Sequence, residues 1–322
     1  MSLKTSVWLL SLLALLVLTS MVTGPVAVTT AELMSWVVGQ GSEQTNLVLG
    51  QLRLPRTLMS LLTGATLAAG GAVMQSLFRN PLAEPGLVGV SAGAALGAVT
   101  AMAFGITAFS VIGLAGFMGA VLATAIAWQF ARGWPGAAGL LLAGVAINAL
   151  VASLISLFIA FAPDAQLRSM TFWTLGSMSR TPWPVLVVFV VWLPLGLWWL
   201  YRRWPALNAL LLGESQAAHV GVNVPRLRAS LIIAMALLIG PLVAFTGAIS
   251  FVGLLVPQLV RRLYGSDHQQ LLPIAALLGA AAVLTADILA RLLITPAELP
   301  VGVVISLIGA PAFLWVLRRT AL

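Results

Sequence analysis

One stretch of this chain has the spelling of a catalytic motif. Gly89-Val90-Ser91-Ala92-Gly93 matches G-x-S-x-G, the pattern that exposes a nucleophilic serine on a strand–turn–helix elbow. The chemistry would be acyl transfer, and it needs a histidine base within hydrogen-bond reach. The two histidines, His219 and His268, fall in segments read as polar loops far from Ser91, so close helix packing explains the glycines better. The sequence has no cysteine, no H-E-x-x-H and no G-x-x-x-x-G-K-[ST], which excludes disulfides, thiol catalysis, zincin-type metal sites and a phosphate-binding loop. Asp287 and Arg291 stand four apart, so on a helix they share a face and can pair.

The elements that must position these residues are dictated by composition. Of 322 residues 61% are hydrophobic and 7% charged, and mean hydropathy is +1.07. A soluble domain carries about 25% charged residues, so this chain cannot cover a water-facing surface. The net charge of +8 is spread in ones and twos between apolar runs, unlike the contiguous basic patch of a nucleic-acid binder.

Apolar stretches at 6–27, 55–78, 87–106, 109–131, 137–161, 184–201, 229–260, 271–294 and 299–317 read as membrane spans. The first is long and lacks a clear cleavage site, so it reads as a span rather than a signal peptide. The stretch 229–260 is too long for one helix and holds Pro241, Gly247, Gly253 and Pro257. It reads as two passes, one short or broken, giving ten spans with both termini on one side. With the N-terminus inside, eleven basic residues, including the Arg318-Arg319 pair, fall inside, and Arg53, Arg56, Arg168, Arg180 and Arg291 fall outside. That asymmetry is what the positive-inside rule asks for.

Two loops are long enough to act. The inner loop 202–228 contains one or two short helices over Leu210–Val222 ended by glycine, and the outer loop 162–183 has room for a short interfacial helix. Gly89, Gly93 and Gly97 form a ladder of small residues four apart, which lets helices approach closely in lipid. Asp287 is the one acid placed inside a span. It and Arg291 read either as a self-neutralised pair or as part of a partner site. Glu298, ahead of Leu299-Pro300, reads as a helix-start charge. Arg53 and Arg56 flank the mouth of the second span, where an arginine ordinarily anchors the interface. Trp198, Trp199 and Trp204 fit an aromatic belt.

Several strings, taken together, resemble the FecCD family of ABC-transporter permeases, importers of iron–siderophores, haem and vitamin B12. They are LRLPRTL at 52–58, GAVMQSLFRNPLAEPGLVGVSAGAALG at 71–97, LLLAGVA at 140–146, LNALLLGESQAAHVGV at 207–222, GAISFVGLLVPQLVRR at 247–262, LLPIAALLGAAAVLTADILARL at 271–292 and ELPVGVVISLIGAP at 298–311. They run in order over about 85% of the chain. Gln258 departs from the pattern, since many members carry histidine there.

The resemblance implies an all-α polytopic membrane protein of about ten transmembrane helices with a BtuC-like, type II ABC importer fold. Residues 1–322 would form one permease domain in the bacterial inner membrane, with both termini cytoplasmic and a coupling loop at about 202–228. It implies a homodimer, two cytoplasmic ATPase subunits that carry ATP and Mg, and a periplasmic substrate-binding protein. No cofactor is implied for this chain. Arg53, Arg56 and Arg291 match the family's binding-protein docking arginines. Leu210, Gly213, Glu214, Ser215, His219, Gly221 and Val222 match the ATPase-coupling segment. DAQLRSMTFWTLGS at 164–177 is similar to haem-type members, so an iron complex (haem first, then a ferric siderophore) is favoured over cobalamin. A gradient-driven carrier would want intramembrane carboxylates, of which the sequence offers almost none.

Overall fold

The computed structural model describes residues 3–132, 134 and 138–318. Arg319, counted above among the inner charges, lies outside the described residues. Helices α1 (Leu3–Val22), α2 (Thr30–Val37) and α3 (Glu43–Thr45) come first. A π-helical segment, Asn46–Arg53, then leads without a break into α4 (Leu54–Leu77). A 3-10 turn at Pro85–Val88 precedes α5 (Val90–Ala103), α6 (Phe109–Ala131), α7 (Ala138–Phe161), α8 (Asp164–Thr174) and α9 (Trp183–Tyr201). The chain continues through α10 (Trp204–Leu211), α11 (Glu214–His219), α12 (Val224–Thr246), α13 (Val252–Tyr264), α14 (His268–Leu292) and α15 (Val301–Arg318).

Seven of these helical stretches are long and apolar enough to cross a membrane, and α5 and α15 are shorter apolar helices. With α13 they give the expected ten passes. The stretch 229–260 does divide. Helix α12 ends at Gly247 (φ +73), and α13 starts after Phe251, itself at φ +65. At 13 residues and about 1.5 Å per residue, α13 is only about 20 Å long. The irregular 247–251 backbone is tolerated at depth because protein covers it: the Ser177 N–H donates to the Thr246 carbonyl at 2.7 Å, and the Trp173 carbonyl sits against Gly247.

Helix α4 is the hub, buried over 78% of its most apolar window, while α1 and α7 are buried over only 17% of theirs. The reason lies in its small residues. A Cβ on Gly64 would lie 2.0 Å from the Gly279 carbonyl oxygen of α14, so the two backbones touch. Helices α12 and α14 flank α4, each buried over 67%. The second span begins earlier than expected. Polar Gln44, Asn46 and Gln51 hide its start in the sequence, yet Glu43–Leu77 is one continuous 35-residue helical run. Ahead of it, α2 is fixed by a capping box between Thr29 and Glu32, a T-x-x-E signature that is readable in the sequence.

Following the chain from pass to pass sorts the basic residues by end. Lys4, Arg79, Arg132, Arg202, Arg203, Arg226, Arg228, Arg261, Arg262 and Arg318 lie toward the end that carries α10 and α11. Arg53, Arg56, Arg168, Arg180 and Arg291 lie toward the other. Arg202 and Arg203 stack on Trp198 and Trp199.

Candidate functional site

At the end of the bundle remote from α10, five charged side chains meet. Asp287 is fully buried, and its two carboxylate oxygens accept from different arginines. Arg56 Nε donates at 2.8 Å and Arg291 Nη2 at 2.7 Å. Arg56 Nη1 also reaches Glu298 at 2.7 Å. Arg291 Nε donates to the Asp287 carbonyl at 3.3 Å. Its Nη atoms also reach the end of α1 and the residue after it, at the carbonyls of Ser20 and Thr23 at 3.0 and 3.2 Å and the Ser20 hydroxyl at 2.6 Å. Arg53 Nη1 donates to the Met21 carbonyl at 2.6 Å, and its Nη2 to the Val26 carbonyl. The Ser20 and Met21 carbonyls lie in the last turn of α1, whose final carbonyls lack intrahelical partners. The arginines therefore cap its negative pole and also hold the chain just beyond it at Thr23 and Val26.

Arg53, Arg56 and Arg291 are 5%, 7% and 2% exposed and engaged inside the subunit at its outer end. The self-neutralised pairing of Asp287 with Arg291 is present, with Arg56 added to it. Glu298, three residues ahead of α15, is paired with Arg56.

Above the cluster opens a cavity of about 1060 Å³, whose lining includes Phe109, Phe172, Trp173, Phe245, Arg168 and Arg180. The rings of Phe109 and Phe245 are 5.4 Å apart. Helix α8, the short interfacial helix expected in loop 162–183, supplies Arg168, Phe172 and Trp173. Arg168 and Arg180 are exposed and have no ion-pair partner among the described residues. The cavity therefore joins an aromatic wall to unpaired positive charge, a combination suited to an anionic molecule with a flat apolar body.

The opposite end carries the loop expected to meet a partner. The helical Leu210–Val222 segment is two helices, α10 and α11, broken at Gly213 (φ +112) and closed by Gly221 (φ +88). Leu210 is buried under the loop, Ser215 and His219 are exposed, and Val222 is half-buried. His219 Nδ1 lies 2.8 Å from the Ser215 carbonyl. Glu214 pairs with Arg228 of α12 at 2.5 Å, which ties the loop to the bundle. Leu212 and Val220 are 71% and 67% exposed. Both are apolar side chains left open among polar neighbours at this end, and neither stands out in the sequence. The other histidine, His268, is not in a loop: it opens α14 and is fully buried.

Along α7, Ala146, Ala149, Ser153, Ser156 and Ala160 recur three and four apart, and all are exposed. The Ser153 and Ser156 hydroxyls bond back to their own helix at 3.0 and 2.9 Å, and exposed Leu142 and Leu157 stand on or beside the same face. The helical spacing of small residues was the signal for it. Gly93 and Gly97 do serve close packing: a Cβ on either would lie within 2.3 Å of a carbonyl oxygen of α6. Gly89 does not belong to that ladder. At φ +84 it is the left-handed residue that starts α5, a conformation that glycine adopts without strain. Gln258 Nε2 donates to the Pro81 carbonyl at 2.6 Å, so the amide fastens α13 to the turn after α4.

The profile of the FecCD transport family matches residues 12–319. The chain belongs to that family. It is 41% identical over 287 residues to the vitamin B12 import system permease protein BtuC of Klebsiella pneumoniae, covering 88% of this chain and 85% of that one. It is 44% identical over 278 residues to the hemin transport system permease protein HmuU of Yersinia pestis, covering 83% and 82%. Among solved structures, an inward-facing metal-chelate type ABC transporter superposes with a TM-score of 0.89 at 32% identity, covering 98% of this chain and 99% of that one. PsaBC of Streptococcus pneumoniae shares the fold alone, with a TM-score of 0.59 at 16% identity. The protein is thus a multi-pass membrane permease of the FecCD family.

Proposed function

We propose that this chain is the membrane-spanning subunit of an ATP-driven importer. As a homodimer it moves an iron complex, haem in first place and a ferric siderophore in second, from periplasm to cytoplasm by alternating access. Two ATPase subunits bind the α10–α11 end on the cytoplasmic side of the inner membrane. A periplasmic binding protein delivers cargo to the other end. The observation that carries this reading is the two-ended design. One end presents apolar Leu212 and Val220 on a loop tied to the bundle by Glu214–Arg228, and the other holds a large open cavity.

The charge distribution supports the orientation, since ten of the described basic residues lie toward the α10–α11 end. Both termini are then cytoplasmic. The sequence contains no phosphate loop, so nucleotide must be hydrolysed on the partner. Binding of ATP and of the loaded delivery protein favours different tilts of the helices, and these differential affinities drive the cycle. The small and apolar residues exposed along α7, with serine hydroxyls turned back on their own helix, suit a path that cargo must leave as readily as it enters.

Cargo is favoured by the outer cavity. Its aromatic wall and the unpaired Arg168 and Arg180 complement a flat chelate with carboxylates, as in haem, or an anionic siderophore. The rim of cobalamin carries neutral amides and gives these arginines less to bind. Vitamin B12 remains the second reading, supported by the 41% identity to BtuC.

Coexpression with the neighbouring ATPase, followed by native mass spectrometry, tests the assembly, and two copies of each subunit are expected. Uptake into proteoliposomes with the binding protein then tests the cargo, with ATP-dependent entry of haem expected. A chain that never binds an ATPase, or uptake driven by an ion gradient alone, refutes the importer. Entry of cobalamin without haem replaces the cargo.

A further inference from the structure

His268 is fully buried at the start of α14, and the groups around it form one hydrogen-bonded chain. Asn208, on α10, supplies the first link. Its Oδ1 lies 2.9 Å from the His268 backbone nitrogen and 2.7 Å from His268 Nδ1. Its Nδ2 donates to Asp267 Oδ1 at 2.7 Å. A carboxylate only accepts, so Asp267 fixes which way the Asn208 amide points. The Asn208 oxygen is thereby turned toward two donors, which puts the ring proton of a neutral His268 on Nδ1. That leaves Nε2 as the acceptor facing the hydroxyl of Ser76 on α4, whose one proton is shared between Nε2 and the Ala72 carbonyl 2.9 Å away. Arg261 of α13 closes the chain, donating to Ser76 Oγ at 3.1 Å and to the Ala72 carbonyl at 3.3 Å.

Every member is partnered, and Ser76 and His268 are buried. A satisfied buried network of this kind is rigid and holds one arrangement. It also joins unlike parts of the molecule. Asn208 belongs to the loop helix that packs on α4 and α14, whereas Ser76 and Arg261 lie on helices of the bundle itself. The Asp267 carboxyl is exposed yet held below the ordinary carboxylate range, first by the Asn208 amide and then by the Gln269 N–H, so it stays ionised and keeps the amide oriented at neutral pH.

We propose that Asn208 is the positioning residue of the ATPase-facing loop: oriented by Asp267 and bonded to buried His268, it makes α10, α14, α4 and α13 move as one body. The proposal rests on the importer reading above and deepens it. Force applied to α10 then reaches the hub helix through Asn208–His268–Ser76, in parallel with the packing of Leu207 and Leu210. The Glu214–Arg228 pair does the equivalent for α11 and α12.

The exchange of Asn208 and Asp267 tests this. In Asn208→Asp the new carboxylate faces that of Asp267 where a 2.7 Å hydrogen bond had been, and the link opens. In the double variant Asn208→Asp/Asp267→Asn an amide again faces a carboxylate, with the roles reversed, and one carboxylate oxygen again accepts from both donors of His268. Two readouts are taken on the full chain. Hydrogen exchange across 204–211 in detergent needs no ATPase: N208D is expected to speed exchange about tenfold, the size of one lost hydrogen bond to a charged group, and the double variant to bring it back. Cargo moved per ATP in the assembled transporter is expected to fall by about the same factor in N208D and to recover in the exchange.

Unchanged protection of α10 in N208D, or an exchange variant no better than N208D, overturns the latch. Altered protection with unaltered coupling overturns its role in transmission. If the wild-type chain shows no ATP-driven transport, the importer reading falls, while hydrogen exchange still decides whether the latch exists.

Discussion

Asp287 bridges Arg56 and Arg291 through opposite oxygens of one carboxylate, 2.8 and 2.7 Å away, in a site closed to solvent. The arrangement joins α4 to α14, and the bonds of Arg291 to Ser20 add the end of α1. It is a structural clamp: each guanidinium finds a counter-charge or a helix-end carbonyl, and none is presented outward.

Removing the shared carboxylate is therefore costly. Asp287→Asn leaves two buried guanidiniums facing a neutral amide, and breaking a buried pair in this way destabilises by about 3–5 kcal/mol. A large fall in the thermal unfolding temperature of the detergent-solubilised protein is expected. An unfolding temperature equal to the wild type would show that the clamp does not hold the helices.

The exposed and buried arginines should separate docking from folding. Arg168→Glu with Arg180→Glu is expected to preserve the fold and weaken binding-protein affinity about tenfold or more, because like charges across an interface repel. Arg291→Glu is expected to lower folded yield first, since it places a second carboxylate beside Asp287. Size-exclusion profiles and binding kinetics on reconstituted protein distinguish these effects. Full affinity in the Arg168/Arg180 pair would move docking elsewhere on the outer end.

Gly93 admits no side chain. A Cβ would lie 2.3 Å from the Gly119 carbonyl oxygen, so Gly93→Val must push α5 and α6 apart. The cost is expected to exceed the roughly 1–3 kcal/mol of ordinary overpacking, because backbone cannot rotate aside. Gly89→Val should also destabilise, through φ +84 rather than through contact. Unfolding temperatures of the two variants measure both effects, and a wild-type value for Gly93→Val would contradict the observed approach.

Half-buried Glu84, in the turn between α4 and α5, has its pKa raised above the ordinary 4.5 by desolvation. With the folded value raised, its contribution is most favourable below the unfolded pKa and is lost as pH rises through the folded one. Glu84→Gln escapes that loss. The variant is expected to be more stable than wild type at pH 7 and indistinguishable from it below about pH 4. Unfolding curves at the two pH values check the sign, and equal stability at pH 7 would mean that the carboxylate is compensated.

The primary structure by itself determined the membrane class and the ten passes. Too few charges were available for a wet surface, and apolar runs of membrane length recur along the chain. It also determined the short helices of both working loops and the break within 229–260. That apolar stretch of 32 residues exceeds one crossing and Gly247 offers a stop, while Pro241 and Pro257 are accommodated inside α12 and α13. The sorting of basic residues between the two ends followed from the same runs. The partners of the charged residues were decided only by tertiary structure. Arg56, Asp287 and Glu298 are separated by up to 242 positions, and no local pattern reports that α4 and α14 touch through Gly64 and Gly279. An arginine at a span mouth looks the same in sequence whether it reaches outward or caps a neighbouring helix. Likewise His268 follows Asp267 in a segment that reads as polar loop, and only the packing of α10 on α4 and α14 encloses it. Local chemistry fixes where a helix starts and which stretch enters the bilayer, while the choice of partner for a buried charge depends on which backbones come close enough to exclude water.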